Sequence, residues 1–129
     1  MKVAVLGSGS RGNATLVWCG NTRLLVDAGF SARDLARRLA SVDVEPDSID
    51  GIIVTHDHRD HTKGIGVFAR RHGSPIYMTS STHTACSQLL RGKEKVVEYD
   101  PAETFTVGDI YVEPFVTIHD AADPVGLAL

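Results

Sequence analysis

An α/β fold is predicted for this chain by three features of its 129 residues. Two β-rich runs, residues 14–19 and 22–27, flank a Gly20-Asn21 pair and read as a hairpin. Between that hairpin and the next strand, Ala32, Leu35, Ala36, Leu39 and Ala40 recur at helical spacing. The apolar, β-branched run at residues 51–55 then gives way to a polar loop and a helix start near Gly64. Strands alternating with helices in this way define the class.

Taken in order, residues 2–6 form a first strand and are followed by Gly7-Ser8-Gly9-Ser10-Arg11-Gly12-Asn13. The run satisfies G-x-G-x-x-G, yet a dinucleotide site needs a helix directly after the glycines. Here the hairpin follows instead, so the dinucleotide reading is rejected. A bend near an active centre, or a plain tight turn, remains. Asp27-Ala28-Gly29 ends the third strand, and Asp27 on its own reads equally as a turn or cap residue. Ser31 is the expected N-cap of the first helix, with Asp34 at the capping-box position. Residues 42–50, containing Pro46, connect to the strand at 51–55.

The second helix runs to Arg71 and stops at His72-Gly73-Ser74-Pro75, where His72 complements the helix dipole. Residues 75–78 form a strand, and residues 81–91 a helix capped by Ser80 or Ser81, with His83 on the surface. Strands are expected at 95–99, 104–107 and 110–117, the last two joined by Val107-Gly108-Asp109. The pairs Arg37-Arg38 and Arg70-Arg71 read as solvated helix faces.

Composition bounds the function. With 43% apolar and 22% charged residues the chain is one ordinary globular domain spanning 1–129. A net charge of −3 argues against a generally basic nucleic-acid surface and leaves room for a local basic groove. Cys19 and Cys86 lack C-x-x-C spacing and read as small buried residues of a reducing compartment. The opening apolar run is too short for a signal peptide, and no stretch reaches transmembrane length. A cytoplasmic protein without a membrane partner is expected.

The chemistry concentrates in residues 55–64, Thr-His-Asp-His-Arg-Asp-His-Thr-Lys-Gly, with three histidines and two aspartates between His56 and His61. Imidazole nitrogen with carboxylate oxygen is the donor set of catalytic divalent-metal sites. Alternate residues of a loosely extended loop share a side, so His56 and His58 can hold one ion. Asp60 and His61, a turn later, face a second position. Two ions about 3.5–4 Å apart clamp the entering and leaving oxygens of a hydrolysis. His119, where a β-patterned run meets a polar turn, is the natural third imidazole for the first ion. Zinc comes first for such ligands, with manganese or iron also accepted.

Residues 55–61 match in full the H-x-H-x-D-H signature of the metallo-β-lactamase-fold hydrolases. With residues 7–15, Leu25-Val26-Asp27-Ala28-Gly29 and residues 119–126, in that order, the chain resembles the YycJ (WalJ) subgroup of that superfamily, on its nuclease and phosphodiesterase branch. The resemblance implies the N-terminal half of an αββα sandwich. It implies that His56, His58 and His119 hold one ion and Asp60 and His61 the second, with Asp60 also orienting the attacking hydroxide. Asp27 would support the metal loop from behind. It implies that the superfamily's bridging aspartate and last histidine ligand belong to a second half, so the domain is expected to be truncated, weakly active alone, and to self-associate or pair with that half through an apolar sheet face. A nucleic-acid substrate needs cationic contacts, for which Arg11, Arg59 and Lys63 are candidates. The rival reading is a small-molecule ester, thioester or lactone hydrolase, or an inactive metal-binding fragment.

Overall fold

The computed structural model describes residues 1–116 and 125–129. Strands β1 (Lys2–Gly7), β2 (Ala14–Cys19), β3 (Thr22–Val26), β4 (Gly51–Ile53), β5 (Ile76–Met78) and β6 (Val96–Glu98) form one six-stranded sheet in sequential order. The first three strands pair antiparallel, as the hairpin signal requires. From β3 onward the pairs are parallel. Each parallel step needs a crossover. Helix α1 (Ala32–Ala40) crosses from β3 to β4, α2 (Arg59–Thr62) and α3 (Ile65–His72) from β4 to β5, and α4 (Ser80–Ala85) from β5 to β6. A second sheet orders β7 (Phe105–Val107), β8 (Ile110–Val116) and β9 (Val125–Ala128).

Neighbouring apolar residues on the central strands divide between two cores because side chains alternate across a strand. Leu16, Leu25, Ile52 and Ile76 join Leu35, Leu39, Ile65 and Phe68 on the helix side. Val17, Leu24 and Ile53 join Tyr99, Val107, Ile110 and Val112 on the side of the second sheet. The sheet is therefore buried on both faces, and each fully buried Leu or Ile contributes about 1.5–3 kcal/mol. Coverage stops at the edge strand: Val3, opposite Val17 on the second-sheet side, is 60% exposed, and Val5 is 65% exposed. Tyr111 and Phe115 of β8 are also exposed.

Several sequence expectations shift in detail. Ser31 caps α1, its Oγ accepting the Asp34 N–H at 3.2 Å. The helix expected over 81–91 runs only from Ser80 to Ala85, capped by Thr79, and a 3-10 turn covers Ser87–Leu89. Its Ser, Thr and His residues are weak helix formers, and Thr79 accepts the Thr82 N–H, which places Ser80 inside the helix. The strand expected over 51–55 ends at Ile53, because the Thr55 N–H turns to Asp27. Only Arg37 and Arg71 of the two arginine pairs are exposed. Arg38 lies over the Phe30 ring, 3.8 Å from its centroid, and donates to Leu6 O, while Arg70 pairs with Glu94. Cys86 is buried as expected, whereas Cys19 is half-buried.

Candidate metal centre

The loop between β4 and α2 leaves the carboxyl end of a parallel strand beside the end of β3, where open α/β sheets bind their ligands. At the end of β3, Asp27 takes a left-handed conformation with φ of 65°, which Asp tolerates better than most residues. That turn aims its carboxylate under the loop. Oδ1 accepts the Thr55 N–H at 2.8 Å. Oδ2 accepts the Thr55 hydroxyl at 2.7 Å and bonds His61 Nδ1 at 2.6 Å.

These bonds decide which nitrogens carry protons. A carboxylate only accepts, so His61 must donate from Nδ1. The single proton of the Thr55 hydroxyl goes to Asp27, so His56 Nδ1, 2.9 Å from that oxygen, donates to it. Both rings thus keep the Nε2 lone pair for ligation, as metal-binding histidines backed by a carboxylate do. Burial opposes a charge on His61, but its hydrogen bond to Asp27, then the charges of Asp27 and Asp60, raise its pKa above 6.5.

The remaining members gather closely. His56 and His61 ring centroids are 3.9 Å apart, and His58 meets His56 edge-on at 5.0 Å. His58 precedes α2, and its carbonyl accepts the His61 N–H at 2.9 Å and the Thr62 hydroxyl at 3.0 Å. That one turn, not foreseen from the sequence, brings Asp60 Oδ2 to 3.8 Å from His61 Nε2. One ligating atom from each of Asp27, His56 and His61 lies within 4.8 Å of the others. Asp27 already spends both oxygens on Thr55 and His61, so orienting them is the role its geometry supports. Imidazole nitrogens with tautomers set from behind, plus a nearby carboxylate, fit a divalent cation.

Asn13 is the member that sequence reasoning missed. Its Nδ2 donates to Asp60 Oδ2 and to Asp60 O, both at 3.1 Å, and to Gly9 O at 2.8 Å. The glycine-rich bend is thus bound to the histidine loop. Gly29, after β3, packs against both, so a Cβ there would lie 1.7 Å from Asp60 O and 2.7 Å from Asn13 N. Thr55 was quoted with the motif but given no role. The one local sign of Asn13 was its place at the end of the glycine run.

His119 lies outside the described residues. Arg11 is exposed on the glycine-rich bend, while Arg59 and Lys63 are exposed on the turn that carries Asp60 and His61. His72 sits in the last turn of α3 and also meets Asp47 at 2.6 Å, and half-exposed His83 meets Glu98 at 2.8 Å.

The pattern of the metallo-beta-lactamase superfamily matches residues 7–128, and the chain belongs to that superfamily. It is 37% identical over 124 residues to Exodeoxyribonuclease YycJ of Bacillus anthracis, covering 95% of this chain and 47% of that protein. It is 35% identical over 128 residues to Exodeoxyribonuclease WalJ of Streptococcus pneumoniae, with the same coverage of 95% and 47%. Among solved structures, the Rm3 metallo-beta-lactamase superposes with a TM-score of 0.81 at 17% identity, over 97% of this chain and 52% of that one. The metallo-beta-lactamase fold protein YhfI of Bacillus subtilis gives 0.78 at 22% identity, over 98% of this chain and 57% of that one. The chain spans about half the length of the curated relatives it matches. No helix among the described residues is long and apolar enough to cross a membrane.

Proposed function

We propose that this chain is the N-terminal part of a metal-dependent phosphodiester hydrolase acting on nucleic acid in the cytoplasm. The observation that carries the reading is the Asp27–Thr55 support beneath the loop, which puts the ring protons of His56 and His61 on Nδ1 and their lone pairs on Nε2. The names of the relatives, exodeoxyribonucleases, support the substrate class.

His56, His58 and His119 would hold one cation, with Asp60 and His61 holding the second; zinc suits these donors best, ahead of manganese or iron. Divalent cations bound there would lower the pKa of a water towards 7 and would so supply a nucleophile at neutral pH. Asp60 would orient that water, and Asn13 fixes the Asp60 carboxylate while leaving its acceptor character intact. Asp27 holds the His61 proton on Nδ1 directly and the His56 proton on Nδ1 through the Thr55 hydroxyl. Exposed Val3 and Val5 on β1 supply the apolar edge on which the rest of the protein, or a second copy, would pack.

The test is metal stoichiometry and turnover in the intact protein, with His58→Ala as control. The proposal expects bound zinc and hydrolysis of bis-p-nitrophenyl phosphate, both lost in the variant, with weaker turnover by this chain alone. Thioester turnover without phosphodiester turnover would replace it with a small-molecule hydrolase.

A further inference from the structure

A groove of about 310 Å³ opens beside the metal loop, between the start of α1 and the outer side of α2 and α3. One wall presents Arg59, Lys63, Val67 and Arg71, spaced four residues apart along α2 and α3. At that spacing Arg59 and Lys63 share one side of the α2 turn, and Val67 and Arg71 one side of α3, the two helices meeting at Gly64. The facing wall presents Ser31 and Arg33 at the start of α1. The walls are held together by backbone: the Gly64 N–H donates to Ala28 O at 2.8 Å, and a Cβ on Gly64 would lie 2.0 Å from Phe30 O.

The charge of this groove is not that of the chain. Acidic residues outnumber basic ones, 16 to 13, yet four cations and no acid line it. Arg38 and Arg70 nearby are committed to Asp34 and Glu94. Arg33, Arg59, Lys63 and Arg71 are exposed and make no ion pair or side-chain hydrogen bond among the described residues. Arg59 and Lys63, like charges four apart on one helical turn, repel at a cost of a few tenths of a kcal/mol. An arrangement that destabilises the free protein is stabilised by a polyanion laid along it.

We infer that this groove seats the phosphate backbone of a single nucleic-acid strand and leads it to the histidine loop. The inference rests on the nuclease reading, since Arg59 and Lys63 belong to the turn that carries Asp60 and His61. Cations on both walls can grip one backbone from two sides. Val67, 39% exposed within the cationic row, offers the strand's sugars an apolar contact. Arg33 and Arg71 are binding residues under this reading, outside the metal centre.

The experiment is fluorescence anisotropy of a labelled oligothymidylate, about 20 nucleotides long, titrated with the intact protein over a range of salt. Each phosphate contact to a single strand contributes about −0.7 to the slope of log K against log salt. Arg33→Gln with Arg71→Gln should flatten that slope by about 1.4 and weaken binding roughly tenfold or more at low salt. Lys93→Gln with Lys95→Gln, an equal charge change elsewhere, should leave the slope in place. An unchanged slope in the first pair, an equal loss in the second, or no binding by the parent protein would overturn the groove. Hydrolysis of bis-p-nitrophenyl phosphate, too small to need the groove, reads the metal centre separately in every variant. Its persistence beside a failed groove would leave the hydrolase reading standing.

Discussion

The Asn13 side-chain amide lies 3.1 Å from Asp60 Oδ2, joining positions 47 residues apart in the chain. The same nitrogen reaches Asp60 O and Gly9 O, so one residue closes the glycine-rich bend and positions the carboxylate. Asn13→Ala removes donors from part-buried acceptors, which costs about 1–3 kcal/mol. A lower urea midpoint should therefore accompany about tenfold weaker metal binding, the lower range for losing an outer-shell partner. Chelator competition measures the second effect. Retained affinity would show that Asp60 needs no help from the bend.

Asp27→Asn tests the support beneath the loop. Asn tolerates the left-handed backbone as well as Asp, so the turn survives. Its amide cannot accept from the Thr55 N–H, the Thr55 hydroxyl and His61 Nδ1 together. Metal affinity should fall by roughly 10- to 100-fold. Far-ultraviolet circular dichroism should stay unchanged, and calorimetric titration gives the affinity.

Stability should carry an acid limb from Glu94, whose side chain is 1% exposed and pairs with Arg70. Burial opposes its charge, but backbone N–H groups of Glu94 and Arg91, with Arg70, outweigh that and lower its pKa below 4.5. A depressed carboxylate pKa stabilises the fold above its unfolded value and loses that contribution as pH falls through the folded one. Arg70→Met should therefore lower the urea midpoint at pH 7. The gap to the parent protein should narrow below about pH 4 as the carboxylate protonates in both.

Thiol labelling should separate the two cysteines. Burial first, and the Asp57 charge second, push the Cys86 thiol up to about 11. At pH 8 only about one molecule in a thousand would carry the reactive thiolate. Half-buried Cys19 should react with Ellman's reagent in the native protein, and Cys86 only after unfolding. Rapid reaction of both without denaturant would contradict the packing around α4.

The elements around the motif were legible because their signals are local. The Gly20-Asn21 turn marks β2 and β3, a β-branched run marks β4, helical spacing marks α1, and Gly73 with a left-handed φ of 73° ends α3 where the Gly-Pro stop predicted it. The motif itself announced a cluster of imidazoles and carboxylates by density. What escaped depends on partners distant in sequence. Nothing near Asn13 points to Asp60, and nothing near His72 points to Asp47, 25 residues away. The single turn of α2 escaped because its residues were read as ligands, and Thr79 because two serines beside it make equally good caps.

Strand β3 is apolar on both sides, Leu24 towards one core and Leu25 towards the other. Oil-like side chains would forgive a slip of this strand by a single position, since each would merely change layer. Asp27 would not forgive it: one step along, its carboxylate would leave the Thr55 amide, the Thr55 hydroxyl and the His61 ring together. The aspartate thus acts as an alignment pin, and correct strand pairing and a competent centre arrive in the same event.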